Sequence, residues 1–170
     1  MNRAMTELNS AFRNAMRRLA ATVTVISTTA ENGLRHGMTA TAVTSVSADP
    51  PAVLACVNRS AALHAQLGLG RRLCINLLHC SQQRLSEVFA GALDGEIRFT
   101  EGDWLSDPEG IPYLADAQAN IFCEVEALHA YGTHSVCIGR VIHATCRSDV
   151  APLVYQDGTY MCTGPLANQE

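Results

Sequence analysis

The residues best suited to chemistry in this chain are small ones. In the stretch HGMTATAVTSVSADPPAVLACV, residues 36–57, the strand-like half carries Thr39, Ala40, Thr41, Ala42, Ser45 and Ser47. Strands that fill a core carry large branched or aromatic side chains instead. Small side chains let a flat ligand lie against the strand, where backbone N–H and C=O groups can meet a heteroaromatic edge. The hydroxyls of Thr39, Thr41, Ser45 and Ser47 add donors without bulk. The plainer alternative is a strand packed closely against a helix or another subunit. Just downstream, Asn58-Arg59-Ser60 leaves an apolar run and opens a short helix. A helix start presents free N–H groups to an anion, and Arg59 adds a charge, so this corner is a candidate phosphate site. An ordinary Ser N-cap is the alternative. Taken together, the two stretches suit an elongated ligand with a flat ring at one end and a phosphate at the other, the shape of FMN.

Other chemical motifs fail. Gly68-Leu69-Gly70 is half of a dinucleotide fingerprint, but it lacks the third glycine and precedes a strand rather than following one. There is no P-loop and no G-x-S-x-G elbow. The histidines at 36, 64, 79, 129, 134 and 143 show no tight metal-ligand spacing. Glu124 and Glu126 share a strand face and read as a solvated edge. The seven cysteines form no C-x-x-C pair, and most sit in apolar runs, where a free cysteine acts as a small hydrophobe. A reaction carried by a bound cofactor needs none of this apparatus, because the protein then supplies position and electrostatics.

The bulk properties set the frame for those elements. At 170 residues the chain is expected to form a single domain, 1–170, able to bury a sizeable core. Hydrophobic residues make up 48% and charged residues 16%, a globular composition. A net charge of −4 and the absence of a basic stripe argue against a nucleic-acid partner. No apolar run reaches the length of about 18 residues needed for a membrane span. The opening MNRAMTELNS has no apolar signal core, so the chain is expected in the cytoplasm.

Periodicity supplies the elements. Ser10 is read as the N-cap of an amphipathic helix carrying Phe12, Ala15, Met16, Leu19 and Ala20. Strands are expected at 22–28, over the small-residue stretch, at 52–57 after Asp49-Pro50-Pro51, and at 72–78. Ser60 should cap a short helix through Leu67, and Ser81 a third helix burying Leu85, Val88 and Phe89. Residues 91–116 lack periodicity and read as a surface excursion carrying Trp104, the one tryptophan. Alternating strands at 119–131 and 135–145 flank Gly132-Thr133-His134, and Asp157-Gly158 signals a last hairpin. Strands dominate without regular β-α-β alternation, which favours a mainly β fold, an antiparallel barrel with peripheral helices.

The chain resembles the flavin reductase family, the small reductase components of two-component flavin-dependent monooxygenases. The resemblance runs from FRNAMRRLAATVTVIST (12–28) to PLVYQDGTY (152–160). It rests on the ordered series GMTATAVTSVSADPPAVLACVNRSAALH, CINLL, FAG, RF and GTHSVCIGRV. It implies a Greek-key split β-barrel, a homodimer, and hydride transfer from NADH or NADPH to FMN or FAD, with reduced flavin passed to an oxygenase. By resemblance, Thr39, Ala40, Thr41 and Ala42 meet the isoalloxazine and ribityl chain. Asn58, Arg59 and Ser60, with Arg98, meet the phosphate. Gly132-Thr133-His134 meets the nicotinamide nucleotide, with His134 holding it in place, and Tyr155 and Tyr160 line the same region. Many members carry Asn-Ser where this chain has Thr41-Ala42, which leaves FMN against FAD open. A flavoprotein oxidase of the same fold and a non-catalytic flavin carrier are the alternative functions.

Overall fold

The computed structural model describes residues 3–164. The chain order is α1 (Arg3–Met16), β1 (Ala21–Thr22), β2 (Thr24–Thr29), β3 (Arg35–Ala40), β4 (Val43–Ala48), β5 (Pro51–Asn58) and β6 (Arg72–Leu77). Then follow α2 (Gln83–Glu87), β7 (Trp104–Ser106), β8 (Pro112–Leu114), β9 (Ala119–Tyr131), β10 (His134–Cys146), β11 (Leu153–Gln156) and β12 (Thr159–Cys162). Seven of these strands form one antiparallel sheet in the order β3-β2-β6-β9-β10-β5-β4. Its two edges, β3 and β4, are consecutive in the chain and joined only by Thr41 and Ala42.

Side-chain alternation curls this sheet. Ile26 from β2, Val53 and Val57 from β5, Ile75 from β6, Cys123 and Val125 from β9 and Cys137 from β10 bury into one shared core. Residues from both ends of the sheet meet there, so the sheet wraps into a barrel that stays open between β3 and β4: a split β-barrel. The opposite face of β2 and β6 is covered as well. Val25 packs with Leu78, Leu85, Val88, Phe89, Phe99, Leu114 and Leu153 in a second core. Strand β2 is therefore buried on both faces, as its run of β-branched residues requires.

Polar residues lock the layers. Asn76 on β6 is fully buried. Its Nδ2 donates to the Val25 carbonyl at 2.8 Å and to Ser27 Oγ at 2.9 Å, and its Oδ1 accepts from the Leu114 amide at 2.8 Å. The cysteines are all free. Burial pushes the Cys123 thiol up to about 12 and the Cys137 thiol up to about 11, so both stay protonated across the neutral range.

Several local expectations change. The first helix begins at Arg3 and Ser10 lies inside it, because Met5 and Leu8 extend the apolar stripe toward the N-terminus. It ends at Met16, where Arg18 and Leu19 tighten into bonds to the carbonyls three residues back. The small-residue stretch is two strands, not one, with the break at Thr41-Ala42. Ser60 caps no helix: residues Ala62–Gln66 form a 3-10 turn without a side-chain cap. At the third helix the cap is His79, whose Nδ1 accepts from the Ser81 amide at 3.2 Å, and a 3-10 turn precedes α2. Residues 91–116 are not a surface excursion. Phe99 and Leu114 are buried, and Trp104 packs with Phe89 and Phe99 at ring separations of 5.2 and 4.9 Å.

Replacing Asn76 tests the lock between the layers. Asn76→Ala leaves the Leu114 N–H without a partner and strips a donor from the Val25 carbonyl. Each such loss costs about 1–3 kcal/mol, so the variant should lose at least about 2 kcal/mol in chemical denaturation.

Candidate functional site

The end of the small-residue strand borders a cavity of about 570 Å³. Its floor is the end of β3, where Thr39, Ala40 and Thr41 lie along the seam. Thr39 is not free to bind through its hydroxyl, since Oγ1 donates to the Ser86 carbonyl at 2.7 Å. The Ala40 carbonyl accepts from Thr24 Oγ1 at 2.7 Å, and the Ala42 carbonyl from the Cys56 amide at 2.9 Å. The amides of Thr41 and Ala42, by contrast, have no hydrogen-bond partner among the described residues. Two exposed N–H groups thus stand at the rim of a cavity, flanked by side chains too small to cover them.

One side wall is the corner leaving β5. Asn58 Oδ1 accepts from both the amide and the hydroxyl of Ser60, at 3.0 and 2.9 Å, in an Asx turn. Asn58 and Ser60 line the cavity, while Arg59 between them does not. Arg59 faces the β9–β10 turn, where its amide donates to the Thr133 carbonyl at 3.0 Å and its guanidinium to the Gly132 carbonyl at 3.4 Å. His134 also lies off the cavity wall. It pairs across the sheet with Asn58, and its Nδ1 sits 2.9 Å from Thr133 Oγ1. Residues 58–60 and 132–134 are therefore one hydrogen-bonded unit.

On the opposite wall the sequence pointed to Arg98, Tyr155 and Tyr160, but not to Ser86 or Gly37 as site residues. Ser86 and Phe89 come from α2 and the turn after it, which ends at Gly91 with a φ of 123°. A positive φ favours glycine, and that is the signal carried by the FAG triplet. Gly37 on β3 lies flat under Phe89: a Cβ there would sit 2.5 Å from the ring's Cε1. Tyr160 OH and Ser86 Oγ are 2.8 Å apart, and the Tyr155 and Tyr160 rings meet edge-on at 5.0 Å. Arg98 closes the end. Its guanidinium donates to the Leu93 and Gly37 carbonyls at 2.6 and 3.0 Å and reaches Asp94 Oδ1 at 3.4 Å. Among the described residues lining the cavity it is the one charged side chain, and it is paired with the exposed Asp94 carboxylate. Among the described residues, no cluster of His, Cys, Asp or Glu could hold a metal. Of the sequence candidates, Thr39, Ala40, Thr41, Asn58, Ser60, Arg98, Tyr155 and Tyr160 line this one cavity. Ala42 stands just beyond its rim.

Comparison with known proteins decides the family. The family model described as a flavin reductase like domain matches residues 16–164. The chain belongs to the flavin reductase family. Among its relatives, the reductase component of the FADH(2)-dependent resorcinol hydroxylase of Rhizobium sp. (strain MTP-10005) is 43% identical over 91% of this chain and 87% of that protein. The FMN reductase (NADH) RutF of Pantoea ananatis is 38% identical over 88% of this chain and 78% of that protein. Among solved structures, the NADH:FAD oxidoreductase SgcE6 of Streptomyces globisporus, in complex with NAD and FAD fragments, superposes with a TM-score of 0.84. It is 29% identical and covers 94% of this chain and 95% of that one.

The residues of this flavin reductase family member fit a flavin. Unpartnered amides at the rim suit the heteroatom edge of an isoalloxazine, and Arg98 with the Asn58–Ser60 corner suits a phosphate. The width of the slot depends on Gly37. Gly37→Ala must push Phe89 into the cavity or out of its core. Flavin affinity in a fluorescence titration should fall at least about tenfold, with a stability loss of about 1–3 kcal/mol.

Proposed function

We propose that the protein uses a nicotinamide dinucleotide to reduce flavin, as an NAD(P)H:flavin oxidoreductase that supplies reduced FMN or FAD to an oxygenase. The observation that carries this reading is the pair of amides at Thr41 and Ala42 without partners among the described residues, at the edge of a cavity whose described lining holds one charged side chain, Arg98. Bound flavin supplies the hydride-accepting ring. The chain supplies placement: the seam receives the ring edge, Phe89 and the tyrosines shield it from water, and Arg98 draws the phosphate. The turn at 132–134 lies beside that seam and is where we place the nicotinamide nucleotide, held by His134. No general base is required, because hydride transfer takes no proton from the donor. Rate then comes from holding two rings at reacting distance.

Strand β4 is exposed along almost all its length, with Val46 half-exposed beside the seam, which supports a homodimer formed over this edge. The seven free thiols support a reducing compartment, the cytoplasm. Among the described residues, no helix is long and apolar enough to cross a membrane.

Mixing the purified protein with NADH and then adding FMN or FAD should start NADH oxidation only when flavin is present in excess of protein. Oxidation of NADH without free flavin would mark an enzyme that retains its cofactor, and no oxidation in either case a carrier. The corner carries a second expectation. Arg59→Ala releases the 132–134 turn and should raise KM for NADH about tenfold. His134→Ala should slow reduction by NADH while leaving the flavin dissociation constant within about twofold. A flavin constant that moves with KM in both variants would place the corner in the flavin site instead. Light scattering should give the mass of two chains.

A further inference from the structure

Two cysteines outside the flavin cavity meet at the start of β11. Residues 151–153 are flanked by two other segments. On one, the Leu153 amide donates to the Leu78 carbonyl and the Cys80 amide to the Ala151 carbonyl, each at 2.8 Å, with His79 paired to Pro152 between them. The other is β12, which pairs Cys162 with Leu153. The two thiols come together here. A side-chain hydrogen bond with Cys80 pushes the Cys162 thiol above its ordinary range. Cys162 is exposed and Cys80 half-buried, so a small solute can reach the pair. Cys74, Cys123 and Cys137 also neighbour one another, but all three are buried.

The surroundings of Cys80 are polar. His79 Nε2 and Nδ1 lie 3.9 and 4.0 Å from its sulfur. The ring is anchored, since Nδ1 accepts from the Ser81 amide at 3.2 Å and Nε2 lies 3.4 Å from Asp149 Oδ2. The Arg147 guanidinium, held to Asp149 at 2.8 and 3.2 Å, lies within electrostatic range of the same sulfur. A sulfur beside imidazole and guanidinium groups and open to water is the setting of a redox-active thiol. The location also matters to the cavity. Cys80 opens the turn that leads into α2 with Ser86, and Cys162 follows Tyr160 by two residues on β12. Tyr160 and Ser86 are the pair whose hydroxyls meet at 2.8 Å in the cavity wall.

We propose that Cys80 and Cys162 form a reversible, peroxide-driven disulfide that staples β12 to the turn before α2. The Cys80 sulfur gives an electron pair to one oxygen of hydrogen peroxide. The O–O bond breaks, the other oxygen leaves as water with the thiol proton, and Cys80 becomes a sulfenic acid. The Cys162 sulfur then attacks the Cys80 sulfur. The S–O bond breaks, and a second water leaves with the Cys162 proton. In sum, two thiols lose two electrons and two protons, and one peroxide becomes two waters. A small thiol reverses the link by exchange, so in a reducing compartment it is transient. The pair stands without the flavin-reducing reading, but that reading supplies its oxidant. Reduced flavin that meets oxygen before an oxygenase takes it up is re-oxidised and yields hydrogen peroxide.

The test treats the reduced full chain with hydrogen peroxide. Two of its seven thiols should be lost, and peptide mapping by mass spectrometry without reductant should find the Cys80 and Cys162 peptides joined. Dithiothreitol should part them. The oxidised protein should melt at least about 5 °C above the reduced one, because the link closes a long loop. Cys162→Ser, a change at an exposed position, should fold as wild type, form no link, show no such shift, and leave a sulfenic acid at Cys80 that dimedone traps. All seven thiols surviving peroxide, a link through other cysteines in place of this one, or a link between two molecules rather than within one overturns the proposal. NADH with free flavin under air should drive the same link, and catalase should suppress it. A link that forms with added peroxide but not in that mixture overturns flavin as the source of the oxidant. A protein that cross-links with added peroxide yet oxidises no NADH would reject the reductase reading and leave the cysteine pair standing.

Discussion

The organising constraint is that the chain passes from one edge of its sheet to the other in two residues. After β3 has paired with β2, the backbone must turn at Thr41-Ala42 and pair with β5 on the far side of the barrel. Two residues cannot satisfy both partners, so the barrel cannot zip closed there. Backbone groups that would be wasted inside a closed sheet become free donors at its opening. The small side chains follow from the same constraint, because bulk at the seam would cover those donors and fill the slot. The two cores then work as supports: the inner one holds the seam open at fixed curvature, and the outer one sets the aromatic wall that faces it.

A second economy lies in the alternation of side chains leaving β5. Asn58 and Ser60 face the cavity and Arg59 faces away, as period two requires. The outward arginine is free to grip the turn between β9 and β10. The corner thus reaches a turn 73 residues away, and Arg98 in the same site reaches Gly37, 61 residues away. Hydrogen bonds of this reach, rather than chain neighbours, fix the geometry of the site.

Much of this was legible in the sequence. β6, β9 and β10 announce themselves by apolar continuity or alternation, and Asp157-Gly158 by a turn in which both residues adopt positive φ. The small residues at 39–42 and the Asn58–Ser60 corner pointed to the cavity before any fold was known. What stayed hidden was set by partners distant in the chain. Nothing in the composition of residues 36–48 marks the switch of partner at Thr41-Ala42. Ser60 looks like a cap until Asn58 is seen to hold it, and the bonds from Arg59 to the 132–133 carbonyls follow from no local pattern. The stretch 91–116 has no period because it contributes single anchors, Phe99 and Leu114, to a core built elsewhere.

The aromatic wall has a further consequence. Phe89 faces the cavity on one side and Trp104 on the other, with their rings 5.2 Å apart. Trp104 is the one tryptophan in the chain, and its indole N–H is fixed to the Glu101 carbonyl at 2.8 Å. The protein thus carries a built-in optical reporter one ring removed from its ligand. Its emission will register any event that shifts Phe89, so occupancy of the slot can be followed in the unlabelled protein, with the rest of the chain spectroscopically silent at tryptophan wavelengths.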